Sequence, residues 1–463
     1  MKRLIVCSIL VLSITRSFAK DYLAATPDEA MLLLQKAKAG DRVLLKDGNY
    51  TDITFHFHND NGTEKKPVTF AAEHSGKVFF EGNSTFSFSG QYIIIEGLVW
   101  QHGGNNLQTR SVFEFKNGNK PAVHSSLRNS VIDSYNNSDL NSDNKWVSLY
   151  GEYNRVEHCL LYNKLNKGAT LTVWLEQGKA AHHVVAWNYF LERQNGPNAD
   201  NGLESIRVGD SKTSMTDAHC VVAFNRFENC DGEIEIISNK SCHNSYLHNT
   251  FYNSNGGLTL RHGNNCVCDG NYFDGGSKPD AYGIRMIGEG HEVINNYFTG
   301  LKASKQMLRA PVTIVNGIPN SALNGYFQVK NAVVAGNFFD NCALPCLRMG
   351  ARTRTEATLP PDSVQVFNNI FVGDGTVNGN VYDENSRGGF IQLRDNLVVG
   401  ISPSQALPPG FTILKVPPAR SNIVTPSKSA GANLLPDDIA VPAKKYNYKM
   451  LAAIEVGPLW KQQ

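Results

Sequence analysis

Acidic and basic residues at a regular spacing make the segment Asp231–Arg261 the part of the chain best suited to chemistry. Glu233 and Glu235 alternate with isoleucines, so on a β-strand both carboxylates would lie on one face, roughly 7 Å apart. Carboxylate oxygens at that separation suit a shared hard cation better than an exposed surface. Lys240 follows shortly afterwards, and an arginine comes 21 residues after that lysine. The segment therefore predicts a cation site beside basic side chains.

A second pattern shows which elements must position these residues. An asparagine followed by two large residues recurs behind short β-branched runs, at spacings of 22, 24 and 25 residues and at longer spacings of 32, 37 and 41 residues, where we expect inserted loops. Such a period is typical of repeat proteins. The sequence has no amphipathic helical pattern between Tyr92 and Val399, which excludes helical repeats and leucine-rich horseshoes. We therefore predict an all-β solenoid, a parallel β-helix with the asparagines stacked inward, and the alternative is an irregular β-sandwich or propeller. The repeated asparagines are Asn188, Asn225, Asn249, Asn271, Asn296, Asn337 and Asn369.

In such a solenoid, three basic residues would be brought together. Residues one period apart lie above one another at about the strand spacing of 4.8 Å. Lys240, Arg261 and Arg285 precede the next repeat asparagine by 9, 10 and 11 residues, which predicts one column on consecutive coils. Three stacked positive charges repel each other unless anions lie among them. Glu233 and Glu235 supply part of that negative charge, so the column predicts a site for a polyanionic ligand.

Composition and length agree with a folded, loop-rich β protein. The chain has 463 residues, with 41% hydrophobic residues, 10% aromatic residues and 40 glycines. Each coil of a solenoid packs only on its neighbours, so we expect one domain over residues 20–463, with an irregular closing segment from about residue 403. The net charge is +2, which gives no general attraction to nucleic acid or to a membrane.

The N-terminus has the layout of a secretory signal peptide. Lys2 and Arg3 precede an apolar run over residues 4–14, and Ser17-Phe18-Ala19 would form the cleavage site. The run is too short to span a bilayer. We therefore predict a signal peptide over residues 1–19 and export to the periplasm or the outside of a bacterium.

The eight cysteines after Cys7 are predicted to be structural. Their number allows a disulfide framework, but buried thiols are at least as compatible with so sparse a set. The Cys266-Val267-Cys268 motif, and the wider spacing from Cys342 to Cys346, lack the paired spacing of a zinc site.

A short helix is predicted at the start of the mature chain. Thr26-Pro27-Asp28-Glu29 is a capping box with proline at the first helical position, and the apolar stretch continues to Lys38 before Gly40. We expect this helix to cap the first coil and cover its open edge. The segment Asp41–Tyr50 would form the first strand and turn. After Ser402 the proline-rich tail loses the period and is predicted to close the far end.

The chemical motifs together resemble those of polysaccharide lyase family six, which contains the alginate lyases and the dermatan-cleaving chondroitinase B. The resemblance covers most of the mature chain and implies a right-handed parallel β-helix. It implies that Lys240 is the Brønsted base, that Arg261 is the Brønsted acid, and that Asn201, Glu233 and Glu235 bind Ca2+. The motifs are Asn201-Gly202, Ile206-Arg207-Val208-Gly209, Glu233-Ile234-Glu235-Ile236-Ile237-Ser238-Asn239-Lys240-Ser241 and Leu258-Thr259-Leu260-Arg261-His262-Gly263. The residues that match sugar-binding positions are Arg207, His262, Arg285, Glu204 and Tyr150.

These residue types suit β-elimination in a uronic-acid polymer. The reaction removes the C5 proton α to a carboxylate, and the intermediate gathers further negative charge. A cation held by Asn201, Glu233 and Glu235 would offset that charge, and a purely oxygen ligand set favours calcium. Lys240 can act as the base only when its amine is partly neutral. Arg261 either protonates the leaving oxygen or stabilises its charge while water supplies the proton, because a guanidinium scarcely deprotonates.

Other functions remain open at the level of sequence. A pair of glutamates near a lysine is often only a solvated salt-bridge surface. A β-helix glycoside hydrolase would use paired carboxylates as acid and base, and a non-catalytic glycan-binding solenoid would need only the basic column. Alginate is favoured over dermatan sulfate because no additional basic cluster for sulfate is present. The expected partner is thus an anionic polysaccharide, bound by a monomer that has no nucleic-acid partner and no membrane span.

Overall fold

The computed structural model describes residues 19–196, 201–386, 388–414 and 449–462. The chain winds into a right-handed parallel β-helix in which each coil contributes one strand to each of three long sheets. Each sheet contains 14 strands, and successive coils pair in parallel along almost the whole molecule. The predicted fold class is therefore confirmed, and the sandwich and propeller alternatives are excluded.

Three sheets, named here first, second and third, form the sides of the coil. The first sheet consists of Asp21–Ala24, Arg42–Leu45, Val68–Ala72, Ile93–Glu96, Ser126–Arg128, Arg155–Glu157, Val184–Ala186, Val221–Ala223, Ser245–Leu247, Val267–Asp269, Glu292–Ile294, Val333–Ala335, Val364–Phe367 and Ile391–Arg394. The second sheet consists of Thr54–Asn59, Thr85–Gln91, Ser111–Glu114, Lys116–Asn117, Lys120–Val123, Lys145–Leu149, Leu171–Val173, Ile206–Gly209, Glu235–Lys240, Gly257–His262, Ile284–Met286, Val312–Val315, Leu347–Ala351 and Tyr382–Glu384. The third sheet consists of Gly48–Thr51, Val78–Gly82, Leu98–Gly103, Val131–Asp133, Leu160–Tyr162, Tyr189–Leu191, Arg226–Glu228, Thr250–Tyr252, Tyr272–Asp274, Tyr297–Thr299, Phe338–Asp340, Ile370–Asn378, Asn396–Ser402 and Phe411–Leu414.

The repeated asparagines form a buried ladder at the turn between the first and third sheets. From Asn188 to Asn369, each side-chain Nδ2 donates to the Oδ1 of the asparagine one coil further on, at 2.9–3.0 Å, and Asn396 is the last acceptor. The residue before each asparagine adopts a positive φ between 53° and 68°, a conformation that costs about 1–2 kcal/mol for a non-glycine residue. The ladder holds that turn in place on every coil. The predicted inward stack is confirmed and extends one coil beyond the last asparagine recognised in the sequence.

The large residues after each asparagine build the core beside the ladder. The second of them is a phenylalanine on seven successive coils, and neighbouring rings are stacked with centroids 4.5–5.0 Å apart. Stacking at this distance adds to the burial of each ring. The members are Phe190, Phe227, Phe251, Phe273, Phe298, Phe339 and Phe371.

The predicted capping helix is present and shorter than the sequence pattern suggested. It spans Pro27–Lys36, and the Thr26 side chain accepts a hydrogen bond from the Glu29 backbone N–H at 3.2 Å. Asn59 from the second sheet donates to the backbone carbonyls at the helix end, which explains why the helix stops before Lys38. A strand that the sequence did not reveal, Asp21–Ala24, precedes the helix and extends the first sheet.

The described part of the chain begins at residue 19 and has a gap before its last segment. Of the predicted signal peptide, residues 1–18 lie outside the described residues, as do residues 415–448 of the predicted closing segment. Before that gap, Phe411–Leu414 adds a regular strand to the far end of the third sheet. The final segment, residues 449–462, lies back along the outside of the coils, where the Trp460 indole N–H donates to the Asn129 carbonyl at 2.8 Å. Among the helices that the structure describes, none is long and apolar enough to cross a membrane.

The cysteines are packing residues. In the described part of the chain all eight are buried free thiols, so no disulfide links those coils. Burial raises the pKa of several of them, including Cys159 and Cys266, each to about 12. Such thiols are unreactive, in agreement with the predicted structural role.

Candidate active site

The predicted catalytic residues lie on neighbouring strands of the second sheet. Glu235–Lys240 is flanked by Ile206–Gly209 on the preceding coil and by Gly257–His262 on the next coil. Lys240 pairs with Gly209 on one side and with His262 on the other. The β-helix therefore brings Lys240 together with Arg261 and His262, which follow it by 21 and 22 residues in the chain.

The predicted column of three cations is wrong in its register. Arg285 pairs with Thr259, which pairs with Ser238, so Arg285 stacks two residues before Lys240. The pairing shifts between Asn239 and Lys240, and this irregularity leaves Arg261 as the extra residue between its paired neighbours. Bulges of this kind re-aim side chains and are common near active sites. Equal spacing to the repeat asparagine therefore does not guarantee equal position on the coil.

The predicted alternation of glutamates and isoleucines also breaks. A second register shift lies between Glu235 and Ile237, and Ile236 and Ile237 are both buried. Glu233 precedes the strand and is 7% exposed. The positions of the two carboxylates are thus determined by the bulge and by the bend before it, and not by a regular strand.

Buried carboxylates lie on one side of the Lys240 amine. The Lys240 Nζ lies 3.8 Å from Glu204 Oε1, and the Glu204 side chain has no exposed surface. Within the described residues, neither carboxylate oxygen of Glu204 has a hydrogen-bond partner. Burial, together with the charges of Glu204 and Glu235, holds the pKa of Glu233 far above its usual range, and Lys240 and Arg193 only partly offset this. Three ionised carboxylates would therefore exceed the positive charge of their protein partners, and without a cation Glu233 favours its neutral form.

Glu235 has partners of its own. Its carboxylate forms an ion pair with the Arg285 guanidinium and accepts a hydrogen bond from the Ser238 hydroxyl. Arg285 is 3% exposed. The predicted sugar-binding arginine is therefore an internal partner of one of the predicted metal ligands.

Arg261 is held under a loop from a later coil. Its guanidinium donates to the carbonyls of Gly325 at 2.7 Å and Asn324 at 3.2 Å. The Tyr326 ring lies against the guanidinium at 4.4 Å from ring centroid to Cζ. Burial lowers the pKa of Arg261 from its usual range. The side chain is thereby fixed in direction beside Lys240.

His262 is neutral and buried next to both cations. Burial, then the charges of Arg261 and Lys240, lower its pKa to about 3. Its Nδ1 lies 3.5 Å from an Arg261 nitrogen, and its Nε2 lies 3.4 Å from the Ser211 hydroxyl. With 2% exposure it orients its neighbours more readily than it contacts a sugar.

The remaining predicted sugar-binding residues lie on earlier coils of the same sheet. Arg207 neighbours Ser238, and its guanidinium lies 5.2 Å from the centroid of Trp174. Tyr150 stacks on Trp174 at 6.0 Å, with the Lys116 amine 4.0 Å above the Tyr150 ring. Aromatic rings flanked by cations form a surface that suits an anionic sugar chain. Glu204, by contrast, lies wholly beneath this surface.

The donor set fits a calcium ion. Glu204 and Glu233 offer buried carboxylate oxygens with unmet charge, and Glu235 lies beside them. Hard oxygen donors of this kind suit Ca2+ better than zinc or copper. Asn201, the remaining predicted ligand, is exposed in a bend three residues before Glu204. The structure thus adds Glu204 to the residues that could hold the ion.

Comparison with known proteins identifies the family. A sequence model described as chondroitinase B matches residues 26–430, which is most of the chain. The chain belongs to this family, polysaccharide lyase family six. A comparison with curated proteins found no match.

Solved structures of family six lyases share the fold. The alginate lyase AlyGC is 32% identical, with a TM-score of 0.82 over 95% of this chain and 58% of that one. The present chain therefore spans 58% of the length of that lyase. A mannuronic acid specific family six lyase from human gut microbiota is 28% identical, with a TM-score of 0.77 over 95% of this chain and 96% of that one.

Two residues at this family six site were missed in the sequence. Trp174 directly follows a short strand of the second sheet, and aligning the coils by the asparagine period could have placed it beside Arg207. Tyr326 lies in the 41-residue spacing between Asn296 and Asn337, where an inserted loop was expected. Nothing in the sequence indicated that this loop folds over Arg261.

Proposed function

We propose that this family six member is a lyase that cleaves a uronic-acid polymer, most favourably alginate, by calcium-assisted β-elimination. Support for the substrate class comes from the similar structures, an alginate lyase and a mannuronic acid specific lyase. The observation that carries the proposal is the half-buried Lys240 amine, set between a carboxylate cluster and the fixed guanidinium of Arg261.

The chain's own residues would divide the reaction as follows. Lys240 Nζ removes the C5 proton of the uronate, the electron pair forms the C4=C5 double bond, and the C4–O4 bond breaks. Arg261 faces the negative charge that develops on the departing oxygen. When bound at Glu204, Glu233 and Glu235, Ca2+ would offset the charge of the uronate carboxylate and so make the C5 proton more acidic.

The surface on the earlier coils would hold the rest of the polymer. Arg207 and Lys116 provide charges for uronate carboxylates, while Tyr150 and Trp174 provide ring faces. Tyr150 follows a strand three coils before that of Lys240, a distance of about 14 Å at the usual strand spacing. This length matches a binding groove for several sugar units rather than for a single monosaccharide.

The proposal also covers the cellular location and the oligomeric state of the protein. The predicted signal peptide over residues 1–19, with its apolar run at residues 4–14, supports export to the periplasm or the cell exterior, where an alginate chain would be encountered. We propose a monomer, because one chain supplies every residue assigned to the reaction.

The test is the ultraviolet absorbance of the conjugated C4=C5 product. Purified protein is incubated with polymannuronate, polyguluronate, dermatan sulfate and polygalacturonate in the presence of calcium. We expect absorbance to rise with one of the two alginate polymers, and Lys240→Ala to lower turnover by at least about 100-fold. Lys36→Ala, at an exposed lysine of the capping helix, serves as the matched control. Absence of the chromophore with all four polymers, or wild-type turnover of Lys240→Ala, would refute the proposed reaction.

A further inference from the structure

A row of six stacked rings runs along the turn between the second and first sheets. Each ring belongs to the residue two positions before a paired residue of the first sheet, and neighbouring ring centroids lie 4.6–5.2 Å apart. Because stacked rings cover one another's faces, they present mainly their edges to solvent. The last three rings are imidazoles, whose edges carry nitrogen atoms that can bind a metal ion. The members of the ring row are Tyr92, His124, Tyr153, His182, His219 and His243.

Asp217 adds a carboxylate to the last two histidines of the ring row. Its Oδ1 lies 2.8 Å from the Nδ1 of His243. One donor atom from each of Asp217, His219 and His243 can be chosen so that all three lie within 4.8 Å of one another. Asp217 and His219 are exposed and His243 is partly exposed, so an ion in solution can reach all three side chains.

The backbone beneath this group is fixed by hydrogen bonds between two neighbouring coils. The Ala218 N–H donates to the Cys242 carbonyl at 3.0 Å, and the Cys242 N–H donates to the Thr216 carbonyl at 2.9 Å. His219 and His243 occupy the same position on the two coils, with φ of 51° and 57°. The three side chains therefore start from a fixed base, and only rotation of exposed side chains is needed to bring their donor atoms together.

The three donors select a particular class of ion. Ligand atoms lie 2.0–2.1 Å from a tetrahedral zinc ion and so about 3.3 Å from one another. Side chains on neighbouring strands, which are about 4.8 Å apart, can reach that separation by small rotations. Two imidazole nitrogens and one carboxylate oxygen suit Zn2+ and related transition metals, whereas Ca2+ prefers oxygen ligands alone. We propose that Asp217, His219 and His243 bind a divalent transition-metal ion such as Zn2+, with water completing its coordination.

This site is separate from the carboxylates beside Lys240 and does not depend on the proposed lyase reaction. His243 follows Lys240 by three residues, on the turn that leads into the first sheet. A bound ion would therefore tie two coils together directly after the strand that carries Lys240. Within the described residues, one other group brings three such donors equally close, and it offers a single imidazole. That group consists of Asp47, Glu73 and His74.

The experiment measures zinc binding by isothermal titration calorimetry. Protein without a polyhistidine tag is treated with chelator, returned to excess calcium so that oxygen-ligand sites are occupied, and titrated with zinc chloride. We expect one zinc ion to bind per chain, and His219→Ala and His243→Ala each to weaken its binding at least about 10-fold, the lower end of the cost of losing even an outer partner of a metal ligand. His124→Ala is the matched control, since His124 is an exposed histidine of the same ring row with tyrosines on both sides, and it should bind zinc like the wild type.

Thermal unfolding gives a second measurement on the same proteins. Zinc should raise the Tm of the wild type and of His124→Ala, and it should leave the Tm of His219→Ala nearly unchanged. Absence of zinc binding by the wild type, or wild-type affinity in both His219→Ala and His243→Ala, would overturn the proposal. Asp217→Asn keeps every ring of the row, so it decides the question if a histidine variant fails to fold, and unchanged zinc affinity in Asp217→Asn would then refute the site. Lyase activity enters none of these measurements, so their outcome is independent of the proposed function.

Discussion

Replacing Arg285 with methionine distinguishes an internal ion pair from a sugar contact. The resemblance to family six placed Arg285 among the sugar-binding residues, whereas the structure buries it against Glu235. The side chains are 4% and 11% exposed, respectively. Arg285→Met keeps an unbranched side chain of similar reach and removes the charge. It would leave the Glu235 carboxylate buried with the Ser238 hydroxyl as its remaining hydrogen-bond donor in the described structure.

The expected magnitude follows from that burial. Removing one partner of a buried ion pair costs about 3–5 kcal/mol, because the remaining charge is neither solvated nor compensated. We therefore expect Arg285→Met to lower the free energy of unfolding by about 3–5 kcal/mol when calcium is chelated. Calcium at the carboxylate cluster would supply a replacement positive charge for Glu235, so its addition should recover part of the loss.

The assay is urea unfolding followed by circular dichroism, with chelator and then with excess calcium. Arg394→Met is the control, since Arg394 and Asp395 are 43% and 68% exposed and their pair at 3.4 Å should contribute less than about 1 kcal/mol. A loss below about 1 kcal/mol for Arg285→Met in chelator would refute the reasoning. A raised KM with unchanged stability would then restore the sugar-contact interpretation.

Three further predictions concern the ladder, acid stability and the metal. Asn271→Ala should lower the free energy of unfolding, measured by urea titration, by at least about 3 kcal/mol, because it leaves several fully buried polar groups without partners. The control Asn378→Ala, at an exposed position, should change the free energy of unfolding by less than about 0.5 kcal/mol. His291 is buried and its pKa is lowered to about 4, below the value of about 6.5 in an unfolded chain, so the unfolded state binds the proton first and stability falls as pH drops below about 6.5. From pH 7 to pH 5 the wild type should therefore lose about 2 kcal/mol more than His291→Asn in pH-dependent unfolding, and equal slopes would contradict this. Chelation should abolish most turnover, calcium should restore it better than magnesium, and Glu204→Gln should remove the calcium-induced rise in Tm, whereas full activity of metal-free protein would exclude the ion.

The sequence predicted the solenoid because its signals are periodic and local. A ladder or stack forms when the same residue type occupies the same position on each coil, so the residue type recurs at each period of the sequence. The asparagines from Asn188 to Asn369 therefore predict the ladder, and the phenylalanines from Phe190 to Phe371 mark the stacked core. The helix start at Thr26 was also predictable, since a capping box involves residues only three apart. The spacing within this repeat also predicted that Lys240 and Arg261 lie on neighbouring strands, which the pairing of their strands confirms.

The tertiary structure alone decided how those residues face each other. Strand pairing places Arg285 beside Thr259 and Ser238, two residues before the row of Lys240, and its guanidinium lies against Glu235, 50 residues away in the chain. Burial of Glu204, and the loop that brings Tyr326 over Arg261, depend on insertions whose path is not periodic. The sequence by itself thus determined the coil, its inward ladder and the residue types available for chemistry. The contacts of the candidate site residues were determined only by the tertiary structure. A bulge or a packed loop changes the direction of a side chain without changing the sequence repeat that encodes the coil.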